Sequence, residues 1–166
     1  MIRRAFSDLL DNLLNEAIRF YGDRLITLAV FGSVGRGTPR PDSDVDLLLV
    51  VNPLPSGRMK RVQEFAAIEE SLEDFLQALK AGGIDTCIAP VFKTPEEVAI
   101  GSPLFLDMID DARILYDRDD FFQRFLQNLK DKLEHLGARR VKYRGAWFWD
   151  LKPGFKKGDV VDFWQT

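Results

Sequence analysis

Two short stretches hold residues whose types and spacing can do chemistry. The first is Phe31-Gly32-Ser33-Val34-Gly35-Arg36-Gly37 and the second is Pro41-Asp42-Ser43-Asp44-Val45-Asp46-Leu47. Ending an apolar run on Gly-Ser and turning at once through two more glycines lets backbone N–H groups converge on one point. That is an anion cradle, to which the Ser33 hydroxyl adds a donor. Asp44 and Asp46 stand at i and i+2 at the mouth of the next apolar run, so on a strand both carboxylates leave one face, roughly 6–7 Å apart along the chain. They repel each other unless a cation lies between them. Hard oxygen ligands beside a phosphate cradle suit Mg²⁺, which takes one or two carboxylates and completes its shell with substrate phosphate and water.

Other motifs that share these letters fail on spacing. Gly32, Gly35 and Gly37 give G-x-x-G-x-G, which is not the dinucleotide fingerprint, and no Gly-Lys-Ser/Thr follows, so a P-loop is excluded. Asp42-x-Asp44-x-Asp46 opens like a calcium loop. Its sixth position is Leu47 where glycine is required, however, and its twelfth is Pro53 where glutamate is required.

The elements that must position these residues follow from periodicity. Phe6, Leu9, Leu10, Leu13, Leu14, Ala17, Ile18 and Tyr21 form one apolar helical face that stops at Gly22. Leu25 to Phe31 predicts a buried strand, Gly32 to Ser43 a loop or a loop leading into a short helix, and Val45 to Val51 a second strand. A long helix is expected from Arg58 to Lys80, ended by Gly82-Gly83, and a third strand from Ile84 to Phe92. Thr94-Pro95-Glu96-Glu97 is a helix start with a cap, a proline and first-turn acids. Leu104 to Ile109 predicts another helix and Arg113 to Tyr116 a short strand. The stripe Phe122, Phe125, Leu126, Leu129, Leu133 and Leu136 predicts a last helix up to Gly137, with Phe121, Phe122 and Phe125 as core. Helices alternating with short strands give an α/β or α+β sheet protein.

With this context in place, Gly32-Ser33, Arg36-Gly37 and Asp42-Ser43-Asp44-Val45-Asp46-Leu47 together resemble the signature of the DNA polymerase β nucleotidyltransferase superfamily. The likeness is greatest to its minimal members, the antitoxins of toxin–antitoxin pairs. The resemblance covers residues 1–117, taken as a nucleotidyltransferase domain, and leaves 118–166 as a C-terminal helix and basic aromatic tail packed on it. It implies a short mixed sheet with helices on one face and a two-metal site on the other. Gly35 departs from the alanine usual there, a change expected to be mild. The family also needs a third carboxylate from a neighbouring strand, and Asp85 is the only acidic residue on the third strand candidate. The implied site is therefore Asp44, Asp46 and Asp85 as catalytic and metal-holding carboxylates for two Mg²⁺, with Gly32, Ser33 and Arg36 on the nucleotide. The implied reaction moves a nucleoside monophosphate, AMP from ATP, to a hydroxyl, with pyrophosphate leaving. The acceptor the resemblance implies is a partner protein such as a separately encoded toxin. A small-molecule acceptor of the aminoglycoside kind, or a non-catalytic module of the same fold that binds a partner by contact, are the alternatives. The chain does not carry that toxin's own Arg-x4-6-His-x-Tyr pattern, since Leu136-Gly137 follows His135.

Composition bounds the rest. The chain has 166 residues with 46% hydrophobic and 30% charged positions, enough for one domain with its own core. A single cysteine, Cys87, excludes an internal disulfide and is expected to be a small buried strand residue, while His135 is expected to be exposed near a helix end. The longest apolar run, Leu47 to Val51, is far too short to cross a bilayer and the N-terminus does not read as a signal peptide, so a cytoplasmic protein is expected. A net charge of −3 argues against binding polyanions overall. That charge is unevenly spread, because residues 130–157 hold nine Lys or Arg against three acids. A basic arm of this kind can meet a triphosphate, an acidic partner or RNA, or remain tethered to the protein's own acidic surface. Trp147 and Trp149 lie on one face of it, suited to packing or to base stacking.

Overall fold

The computed structural model describes residues 1–144, 146–161 and 164. Gly145 in the aromatic arm, and Asp162, Phe163, Gln165 and Thr166 of the expected tail, lie outside the described residues. Helix α1 (Ile2–Tyr21) runs into β1 (Leu25–Phe31), which ends in the one-turn helix α2 (Gly32–Gly35); β2 (Val45–Val51) follows, then α3 (Arg58–Ala81) and β3 (Ile88–Lys93). The second half holds α4 (Pro95–Ile100), α5 (Leu104–Asp111), β4 (Arg113–Asp117), α6 (Phe121–His135), β5 (Arg139–Tyr143) and β6 (Ala146–Asp150).

The main sheet is mixed, in the order β3-β2-β1-β4. β1 is antiparallel to both β2 and β4, and β2 is parallel to β3. Side chains that alternate along β1 and β2 enter two separate cores. Leu28, Val30, Leu47 and Leu49 meet Leu9, Leu13, Phe65 and Ile68 of α1 and α3. Ala29, Leu48 and Val50 meet Val98, Phe105, Met108, Phe122 and Leu129 on the other side. Helices therefore cover both faces, where one covered face was expected. The continuous apolar run of β2 is the sequence signature of such double burial.

Three expectations change. The third strand starts at Ile88 and not Ile84, so Asp85 lies in the preceding coil. Cys87 is exposed instead of buried. The aromatic arm is extended as expected, but it pairs back on residues 139–143 as a β5–β6 hairpin. His135 is exposed in the last turn of α6, as expected.

Local chemistry holds the second half in place. Thr94 and Glu97 form a reciprocal capping box at α4, and Glu97 also takes a two-pronged bond from Arg61 of α3 at 2.8 and 2.9 Å. Asp117 accepts from the buried Thr27 hydroxyl at 2.7 Å and from the Phe122 and Gln123 N–H groups, fastening the start of α6 to β1. Because Phe122 is fully buried beside Phe105 and Ala29, Phe122→Ala is expected to cost about 3–5 kcal/mol. Urea unfolding should show this as a lower midpoint in a single transition at unchanged slope.

Candidate active site

β1 leaves the sheet where β2 enters it, and the register sets Phe31 opposite Asp46. The turn that follows Phe31 is Gly32, at φ +66°, and a Cβ there would run into Asp46 Oδ2. Glycine is required twice over, by the positive φ and by the carboxylate that fills the side-chain position. Gly35 is constrained as well. A Cβ on it would lie 2.7 Å from the carbonyl oxygens of both Val30 and Asp111, so the expected mild exchange with alanine is overturned by backbone crowding.

The loop between the two stretches is tied from inside. The Ser33 hydroxyl donates to Ser43 Oγ at 3.0 Å, and that oxygen also accepts the Arg40 N–H at 2.9 Å. The coil before β3 completes the tie: Asp85 N–H donates to the Pro41 carbonyl, the Thr86 hydroxyl to the Ser43 carbonyl, and Val45 N–H to the Cys87 carbonyl. Asp85 and Cys87 make these ties through their backbone and Thr86 through its side chain.

Asp44, just before β2, is exposed and Asp46, the second residue of β2, is half-buried, and the charge of one acts on the other. Burial first, and the Asp44 charge second, push the Asp46 carboxyl above the usual carboxylate range, and Arg36 opposes them in part. Asp44 Oδ1 accepts the Cys87 thiol at 3.0 Å. This bond, with desolvation and the nearby carboxylates, pushes the thiol up to about 11, so Cys87 is a protonated donor at neutral pH and not a nucleophile.

Asp85 is not gathered with this pair. Its side chain is 73% exposed and ion-paired to Lys80 at 3.1 Å, and the β3 residue in register with Asp46 is Ala89. Among the described residues no group of three or more His, Cys, Asp or Glu has a metal-holding arrangement. The hard oxygens of Asp44 and Asp46 still fit a divalent cation that draws its remaining ligands from substrate and water.

One wall of the site was not foreseen. A cleft of about 280 Å³ opens beside Gly32 and Asp46, lined also by Arg36, by Leu104, Asp107 and Asp111 of α5, and by Arg140 and Trp147 of the hairpin. Arg36 Nη1 donates to Asp111 Oδ2 at 2.9 Å, and Arg140 Nη2 stands 3.6 Å from the same oxygen. Arg40 pairs instead with Asp42 at 3.4 Å, away from the cleft. The 104, 107, 111 spacing marks one face of α5 and was available in the sequence. Nothing local in the sequence tied Arg140 to that face.

The model of the nucleotidyltransferase domain family matches residues 10–101. The chain belongs to that family and is a nucleotidyltransferase. It is 29% identical over 149 residues to a Methanocaldococcus jannaschii protein named "Putative protein adenylyltransferase MJ1305", covering 89% of this chain and 96% of the relative. Among solved structures, it is similar to a crystal structure of a toxin-antitoxin with AMP-PNP, at 16% identity and a TM-score of 0.47, over 75% of this chain and 87% of that one. It is also similar to a complex of a tri-AMPylated Shewanella oneidensis HEPN toxin with MNT antitoxin, at 12% identity and a TM-score of 0.43, over 82% and 89%.

Two outcomes follow from the geometry. Gly35→Ala is expected to lower stability by about 1–3 kcal/mol, read by denaturant unfolding. Because the folded-state pKa of Asp46 is raised, its ionisation destabilises the fold as pH rises through that value, and the penalty is absent below the unfolded-state pKa. In EDTA at pH 7, Asp46→Asn should therefore melt higher than the wild type, and the difference should close toward pH 3. Mg²⁺ should raise the melting temperature of the wild type and not that of the variant.

Proposed function

We propose that this nucleotidyltransferase is a Mg²⁺-dependent protein adenylyltransferase, moving AMP from ATP to a hydroxyl on a partner protein. The observation that carries the reading is Asp46, under the charge of Asp44, packed against the Gly32 turn, which sets an acidic, cation-seeking edge beside a glycine turn suited to phosphate. The name of the M. jannaschii relative supports the adenylyl group and a protein acceptor.

Asp44 and Asp46 would hold Mg²⁺, which when bound supplies charge neutralisation for the triphosphate and for the attacking oxygen. The N–H groups at Gly32 and Ser33 take the β- and γ-phosphates. Residue 32 must be glycine for this turn to form, because its φ is positive and Asp46 fills the position of a Cβ. Arg36, fixed by Asp111 at the cleft wall, faces the charge that builds on the leaving pyrophosphate. The acceptor hydroxyl oxygen bonds to the α-phosphorus as the α–β bridging bond breaks, its electron pair leaving on the pyrophosphate oxygen and the hydroxyl proton passing to solvent water. Cys87 steadies Asp44 by its hydrogen bond and takes no part in bond making.

The likeness of the 32–46 stretch to antitoxin-type members makes a separately encoded toxin the first acceptor to test. Incubation with α-labelled ATP, Mg²⁺ and the product of the adjacent gene is expected to place label on that product. Asp44→Asn and Asp46→Asn should each reduce transfer at least about 10³-fold, the loss expected when electrostatic stabilisation of the transition state is removed. Transfer by the double variant at the wild-type rate would sink the reading.

A further inference from the structure

We infer that the β5–β6 hairpin is part of the substrate site, with Arg140 contacting the nucleotide phosphates and Trp147 offering its ring to the base. The inference rests on the adenylyltransferase reading and names the residues that would complete its nucleotide pocket. The matched domain ends at residue 101, yet the cleft beside Asp46 is closed by two side chains from a separate two-stranded sheet about forty residues further on.

Arg140 is held and incompletely bonded at the same time. Its guanidinium stands 3.6 Å from Asp111 and 3.9 Å from Asp110, distances of charge attraction instead of good hydrogen bonds, and its buried Nε has no hydrogen-bond partner among the described residues. Asp111 already accepts a 2.9 Å bond from Arg36, so one carboxylate serves two guanidinium groups. At those distances the Nη groups keep donor capacity that an incoming acceptor can take. Phosphate oxygens in a cleft that already holds Arg36 are acceptors of the right charge and shape.

The two tryptophans on this face separate in role. Trp149 packs into the core beside α6, while Trp147 remains 56% exposed and lines the cleft. An exposed indole beside a phosphate-binding edge carries cost unless something covers it. Arg140 and Lys142 lie 5.4 and 5.7 Å from its ring centre, enough to orient the ring while leaving surface for a flat base.

Isothermal titration of the full chain with Mg²⁺ plus ATP, and separately with Mg²⁺ plus tripolyphosphate, tests this. Arg140→Ala should weaken both ligands roughly 10- to 100-fold, with Arg140→Lys between it and the wild type. Trp147→Ala should weaken ATP roughly 5- to 100-fold and leave tripolyphosphate unchanged, and Trp147→Phe should recover most of the loss. Wild-type affinities in both alanine variants would overturn the inference, as would equal loss of both ligands in both variants with a lowered melting temperature, the mark of a purely structural hairpin. Wild-type binding that Asp46→Asn abolishes, with hairpin variants unaffected, removes the hairpin and leaves the adenylyltransferase reading standing. If the wild type binds neither ligand, both fall.

Discussion

The candidate site depends on one close approach, the Asp46 carboxylate lying where the side chain of residue 32 would be. That contact is possible only because residue 32 is glycine at positive φ and because the β1–β2 register sets Asp46 opposite Phe31. It puts a carboxylate against the glycine turn, and in the proposed reading a cation and a phosphate would meet at that edge. The arrangement is costly alone. Asp46 is half-buried beside Asp44, and both effects oppose its ionisation. The surroundings hold it through packing of β2 on both faces and through hydrogen bonds that brace the 38–43 loop against residues 84–87.

A second layer turns this edge into a cleft. α5 presents Asp107 and Asp111 toward it, and Asp111 anchors Arg36 from the loop and attracts Arg140 from the hairpin. The carboxylate links three parts of the chain that are far apart in sequence. The same helix contributes Phe105 and Met108 to the core with Phe122 of α6, so the wall of the cleft is as rigid as the packing behind it.

Strands β1 and β2 and the start of α4 were legible because each has strong local signals: apolar runs bounded by Gly or Pro, and a capping box with Pro at the first helical position. The start of β3 was not. Ile84 is apolar and buried, and so read as strand, but its burial comes from the core it shares with α1 and α3, while Asp85 and Thr86 bond to Pro41 and Ser43 of the loop and bonding to β2 begins only at the Cys87 carbonyl. The four-residue error carried Asp85 with it onto a strand where Ala89 stands opposite Asp46.

The sequence by itself determined the pair Asp44 and Asp46, the glycine turn before them and the strands that carry both, since strand period, glycine φ and motif spacing act within about fifteen residues. Only the tertiary structure decided that Gly35 is obligatory, that Asp85 stands apart, and that Asp111, Arg140 and Trp147 meet at the cleft. Those facts depend on which backbone carbonyls and distant side chains are packed together, and contacts between residues 36, 111 and 140 leave no local pattern in a chain read from end to end.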